Sequence, residues 1–268
     1  MIRARRWLAV ALAAWAASQA WAHDSWLIPA GRPGAPALEL TTGIRYPAPH
    51  FNPGADSLLA RGCVDATGAP LALQPGRDLP DRLELKVPLG TRPASCWIEM
   101  RSYDVEIEPP IVELYLNEIR ASAAVRADWA AMLARGVSWH ESYRKFARIE
   151  LAGASATAGS RRPAGLALEL VVLGSEPLVV GRPVEFQLLR DGQPLAGFPL
   201  ELLGERSAIG IWRETDAQGR LRLVLPFAGR WMLRGTDLRL ARQQRDHWES
   251  RFVTLAIDVP DATAPGTR

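Results

Sequence analysis

The chain has 268 residues, 48% of them apolar, with 32 Lys+Arg against 29 Asp+Glu and a pI near 9.2. Three of the arginines, Arg3, Arg5 and Arg6, lie in the first six residues, so the rest of the chain is balanced, and no Lys/Arg run is interleaved with aromatics. That disfavours a nucleic-acid partner, and the scattered arginines read as a solvated surface.

The three arginines precede an apolar stretch, residues 7–17, and Ala20-Trp21-Ala22 supplies the small-x-small pattern of a signal peptidase site. The stretch is shorter than the ~20 residues a membrane span needs, and no later run reaches that length. The expectation is a cleaved signal peptide at residues 1–22, export to a periplasm, and no membrane span after cleavage. Cleavage after Ala22 frees an α-amine on His23. Amine and imidazole Nδ1 can then close a chelate ring on one cation, which an internal histidine cannot do because its nitrogen is an amide.

From residue 38 to 108 short apolar runs such as RLELKVPLG and CWIEMRSYDVEIE alternate with period two, the mark of strands, so residues 23–110 read as an N-terminal β domain. Pro109-Pro110 end it. Residues 111–135 lack Pro and Gly, carry Val112, Leu116, Ile119 and Ala123 at helical spacing, and stop before Gly136, predicting one long helix. Residues 137–151 return the chain toward a strand, completing a unit at 111–151. Were that segment helical, Glu141 and Lys145 would form an i,i+4 ion pair worth a few tenths of a kcal/mol.

Small and polar residues at 152–164 predict a linker. Residues 165–259 again show regularly spaced strands, with turns at Asp191-Gly192 and at 216–219, which suggests a C-terminal β-sandwich. Residues 260–268 form a tail. The fold class is mainly β: two sandwich domains, Ig-like or transthyretin-like, with one long helix between them. Cys63 and Cys96 are the two cysteines, 33 positions apart, and in an oxidising compartment they read as one structural disulfide.

Several segments occur in an order that resembles a family: AHDSWLIP, VELYLNEI, ESYRKFARIEL, RETDAQGRLRLVLPFAGRWMLRG and HWESRFVTLAIDV. The chain is similar to exported bacterial proteins of poorly defined function associated with nickel, cobalt and copper uptake. The resemblance implies a periplasmic protein of Ig-like or transthyretin-like sandwiches, the last like a carboxypeptidase regulatory domain. It singles out His23, Asp24, Glu141, Tyr143, Lys145, Trp248 and Glu249. Where many relatives carry histidine after the Gly-Arg-Trp turn, this chain has Asp237.

The candidate metal ligands are therefore His23 first, then His247 and His50, either of which can complete a T-shaped site with it. Asp237 and Glu249 can supply oxygen, although ion pairs to nearby arginines are the commoner fate of such residues. His140 ranks last. Copper(II) leads the Irving–Williams order for nitrogen sites, with nickel next. TDAQG lacks the carboxylates of a calcium loop and reads as a hairpin turn. No GxSxG, HExxH, P-loop or dinucleotide fingerprint appears, so a non-enzyme is expected.

The leading expectation is a periplasmic accessory protein that carries copper, nickel or cobalt to or from an inner-membrane transporter. The alternative is a structural or binding sandwich of the cell envelope without a metal. A copper-dependent oxidase using the same histidine chelate is a third class.

Overall fold

The period-two segments form strands, and the described residues are mainly β, with stacked sheets and two α-helices. The computed structural model describes residues 23–32, 34–151, 157–207 and 209–260. The expected signal peptide, residues 152–156 of the linker and residues 261–268 of the tail lie outside the described residues.

The first sheet has the order β1 (Asp24–Arg32), β2 (Ala35–Gly43), β6 (Arg82–Lys86) and β5 (Gln74–Leu79), all antiparallel. A second small sheet is built on β11 (Pro183–Arg190), which pairs with β10 (Leu168–Val172), β12 (Gln193–Pro194) and β15 (Arg220–Val224).

Between them runs a nine-stranded central sheet. One half holds β14 (Ile211–Glu214), β13 (Pro199–Gly204), β16 (Gly229–Leu240) and β17 (Trp248–Val259). The other holds β9 (Trp139–Glu150), β7 (Pro93–Met100), β3 (Leu58–Asp65) and β4 (Pro70–Leu71), with β8 (Tyr103–Ile107) on the first part of β9. The halves meet where β17 pairs with β9 in parallel, from Trp248 opposite Glu141 to Ile257 opposite Glu150. One sheet is thus continuous through both sandwich regions.

Strand alternation distributes the core. On β17, Val253, Leu255 and Ile257 join Leu168, Leu170 and Phe186 of the second small sheet, whereas Ala256 joins Trp26 and Leu27 of β1 on the other face. On β9, Phe146 faces the first of these cores, and Ala147 and Ile149 the second. Period two is enforced because both faces of the central sheet are covered.

The expected single helix is two. α1 (Pro109–Glu118) ends in Ile119, and Arg120 takes the left-handed conformation at φ 51°, a position glycine usually fills. Arg120 N–H reaches Asn117 O and Ala121 N–H reaches Leu116 O, the two bonds of a Schellman stop. Ser122 then starts α2 (Ala123–Ala134) by accepting from Val125 N–H at 3.3 Å. The capping serine inside an alanine-rich run is the signal that the apolar spacing concealed. Gly136 does occupy the expected C′ position of α2, at φ 73°.

Both helices cover a satellite core of Trp129, Trp139, Trp248, Leu238 and Phe252 at one end of the central sheet. No helix among the described residues is long and apolar enough to cross a membrane.

Cys63 and Cys96 face each other on β3 and β7 and form the expected disulfide. The replacement C63A/C96A is expected to cost about 3–4 kcal/mol, for a loop closed over a separation of 33 residues. Calorimetry should show the transition lowered by roughly 10 °C. A drop smaller than about 2 °C would show that the bond contributes little.

Candidate metal centre at His23

His23 immediately precedes β1 and is buried, at 9% exposure. Register places Asp24 opposite Gly43 at the end of β2, after which the chain loops out and returns. The return is fixed by paired backbone bonds between Thr42 and Phe51, both 2.9 Å, and by His50 N–H donating to Thr41 Oγ1 at 3.2 Å. The loop thereby carries His50 back to His23, with ring centres 5.6 Å apart and planes at 69°. Gly43 keeps that approach open: a Cβ there would meet His50 Cβ and the Trp26 ring, each at 3.0 Å.

Beneath His23 lies a buried polar floor. Lys145 Nζ donates to His23 O at 2.6 Å, and Thr254 Oγ1 donates to Ser25 O at 2.6 Å. Asp24 accepts from Arg234 at 2.6 Å, and the same guanidinium reaches Glu201 at 2.6 Å and Glu118 at 3.3 Å. Lys145 stands over the rings of Tyr143 at 5.4 Å and Phe252 at 5.8 Å. Glu141 does not pair with it. In a strand, positions four apart share a face but lie too far apart to touch. Glu141 instead accepts from Trp139 Nε1 at 2.8 Å, Tyr115 OH at 3.1 Å and Ser250 Oγ.

Burial lowers the pKa of His23, and the neighbouring Lys145 charge and His50 add to the effect, against a smaller opposing pull from Asp24. The neutral ring that results carries a free lone pair. Burial also pulls the Lys145 ammonium down to about 8, with Asp24 opposing. The unfolded chain, near 10.5, therefore holds a proton that the folded chain releases between these values, so stability contributed at this residue rises with pH across that window. Relative to K145M, the wild type is expected to gain about 3 kcal/mol from pH 8 to pH 10.5 in urea titrations. A flat difference would show that Lys145 is solvated.

The other candidates have different company. His247 is buried and meets Ser142 Oγ at 2.7 Å; together with His140, Asp104 and Glu106 it lines a separate groove. Ser142 also contacts Asp104 at 2.5 Å, so the carboxylate holds the serine rather than the histidine, which is not the order of a nucleophilic triad. Asp237 pairs with Arg190 at 3.2 Å and Glu249 with Arg239 at 3.4 Å. Trp248 stacks on Trp139 at 4.6 Å. Among the described residues no three His, Cys, Asp or Glu side chains are grouped to hold a metal. A centre at His23 and His50 therefore needs a ligand that is not a side chain, and a freed α-amine is one.

The resemblance singles out Asp24 and Lys145 of the floor, but nothing in the sequence points to Arg234. Arg234, like Arg148 and Arg161, reads as a surface arginine, yet its side chain is only 19% exposed, and Arg148 and Arg161 are buried. Charge complementarity between strands distant in sequence leaves no local pattern.

Residues 113–236 match the model of a family described as a domain of unknown function, DUF4198. The matched stretch holds Glu141, Lys145 and Arg234 and leaves His23 and His50 outside it. The chain is also similar to the crystal structure of native alpha-2-macroglobulin from Escherichia coli spanning domains MG0-NIE-MG1. That similarity is 12% identity over 87% of this chain and 95% of that chain, at a TM-score of 0.22. No curated protein matches the chain.

Proposed function

We propose that the chain, once cleaved before His23, is a periplasmic accessory protein that binds a divalent transition metal, copper(II) or nickel(II) before cobalt(II). It would exchange that metal with an inner-membrane transporter. The observation that carries this reading is the approach of the His23 and His50 rings to 5.6 Å. Two imidazoles bonded at about 2.0–2.1 Å to one ion have ring centres between about 4.5 Å (cis) and 6.4 Å (trans). The pair falls inside that range. With the α-amine and Nδ1 of His23, His50 makes a set of three nitrogen donors, which suits copper(II) and nickel(II). The Lys145 bond to His23 O fixes the residue that supplies two of those donors.

The experiment is a Cu(II) titration of two forms, one beginning at His23 and one beginning at Ala22. The extra residue is expected to weaken binding by about 100-fold or more, roughly 2.7 kcal/mol or more. Equal affinity would remove the amine from the site.

A second reading rests on Ile44 and Phe51, which lie in the segment that carries His50 and are 74% and 51% exposed. An apolar rim of this kind suits a protein partner, with or without a metal. Absence of any affinity tighter than millimolar in the same titration would favour that metal-free binding module.

A further inference from the structure

The segment Ser160-Arg161-Arg162 contains two arginines with opposite fates: Arg162 is exposed and Arg161 is only 6% exposed. A guanidinium taken out of water normally brings a carboxylate with it, because an unpaired buried charge is costly. The neighbouring Arg148 obeys this, with Glu150 at 2.9 Å and Glu169 at 2.8 Å. Arg161 forms no ion pair among the described residues. Its Nη1 donates to the carbonyls of Gly174 at 3.0 Å and Glu176 at 2.9 Å, and its Nε is buried with no partner. Its Nη2 has none among the described residues either. Glu150 is the leading compensating charge in the field at Arg161; its Oε1 is held by Arg148 and Ser95, and its Oε2 is buried but forms no hydrogen bond to Arg161.

Arg161 forms one wall of a cleft of about 300 Å³ between β10, β11, β15 and the connection after β10. Leu173, Leu178, Pro183 and Val184 provide an apolar lining. Arg222 and Glu185, cross-strand neighbours, also line it, as does Glu176. Two arginines and two glutamates leave no net charge, which disfavours a polyanion such as phosphate. One buried cation with an open nitrogen beside apolar walls suits a single carboxylate on a short hydrocarbon.

We propose that this cleft binds a monocarboxylate bearing a branched aliphatic tail, either a free small acid or the C-terminal residue of a peptide. The carboxylate accepts from Arg161 Nη2 while the tail packs on Leu173, Leu178 and Val184. The cleft lies on the second small sheet, across the central sheet from His23, and is independent of the metal reading.

The test is isothermal titration of the chain beginning at His23 with isovalerate, its neutral amide isovaleramide, and N-acetylglycylvaline. Isovalerate is expected to bind saturably and the amide at least tenfold more weakly. R161Q and L178W should each weaken isovalerate at least tenfold, the first by removing the cation and the second by filling the cleft. If R161Q does not fold, L178W decides alone. N-acetylglycylvaline binding as tightly as isovalerate assigns the site to peptide C-termini, and weaker binding assigns it to free acids. The proposal is overturned by no saturable binding of either carboxylate, by amide binding of equal strength, or by unchanged affinity in L178W.

Discussion

Replacing Arg148 with alanine is expected to destabilise the protein by about 3–5 kcal/mol. The side chain is 2% exposed and sits on β9 facing β10. Its Nε bonds Glu150 at 2.9 Å, its Nη1 bonds Glu169 at 2.8 Å, and its terminal nitrogens also reach the carbonyls of Arg162 and Ser160. Truncation leaves two carboxylates at 4% and 1% exposure without their cation.

Glu169 keeps the backbone N–H groups of Ala164, Gly165 and Leu166, so the heavier loss falls on Glu150. Burial already raises the Glu150 pKa above the usual carboxylate range, against the opposing pull of Arg148. Without Arg148 the folded state binds that proton more tightly than the unfolded state does. The deficit should therefore shrink as pH falls through the raised value toward that of an ordinary carboxylate. Urea unfolding of R148A and wild type at pH 8 and pH 5 reads both quantities. A cost below about 1 kcal/mol, of the size seen for exposed pairs, would contradict the buried network.

Truncating Trp139 to alanine is expected to cost about 3–5 kcal/mol, by a different mechanism. Trp139 is fully buried, stacked on Trp248 at 4.6 Å and 11°, and met edge-on by Trp129 at 5.2 Å and Tyr115 at 6.1 Å. It holds α1 and α2 against the end of the central sheet. Its Nε1 also satisfies the buried Glu141. Phenylalanine keeps much of the ring contact but loses that donor, so W139F should cost about 1–3 kcal/mol. Equilibrium unfolding followed by circular dichroism separates the two. Equal costs would show that the hydrogen bond, not the packing, dominates.

These two sites mark where the sequence was readable and where it was not. Period two is a property of neighbouring residues, so the strands of both sandwich regions could be read directly. The turn at Asp191-Gly192 is present, with φ 51° and 76°, and Gly219 closes the turn at 216–219 on Asp216. The helical unit reads as one element because apolar spacing continues across Arg120, whose left-handed backbone depends on local capping bonds rather than on residue type. Arg148, Arg161 and Arg234 looked like surface charges because their partners arrive from other strands. At the candidate site, the cleavage pattern singles out His23 as a proposed ligand. Nothing in the sequence could choose between His50 and His247 as its neighbour. The loop after Gly43 makes that choice, by returning His50 through the Thr42–Phe51 bridge.

In the proposed centre the α-amine and imidazole of His23 act with His50 on one metal ion. Electron paramagnetic resonance of the Cu(II)-loaded chain beginning at His23 tests it most directly. Superhyperfine coupling from three nitrogens is expected, falling to two in H50A and losing the amine nitrogen in the form that begins at Ala22. A spectrum unchanged by both alterations would place the copper elsewhere and contradict it.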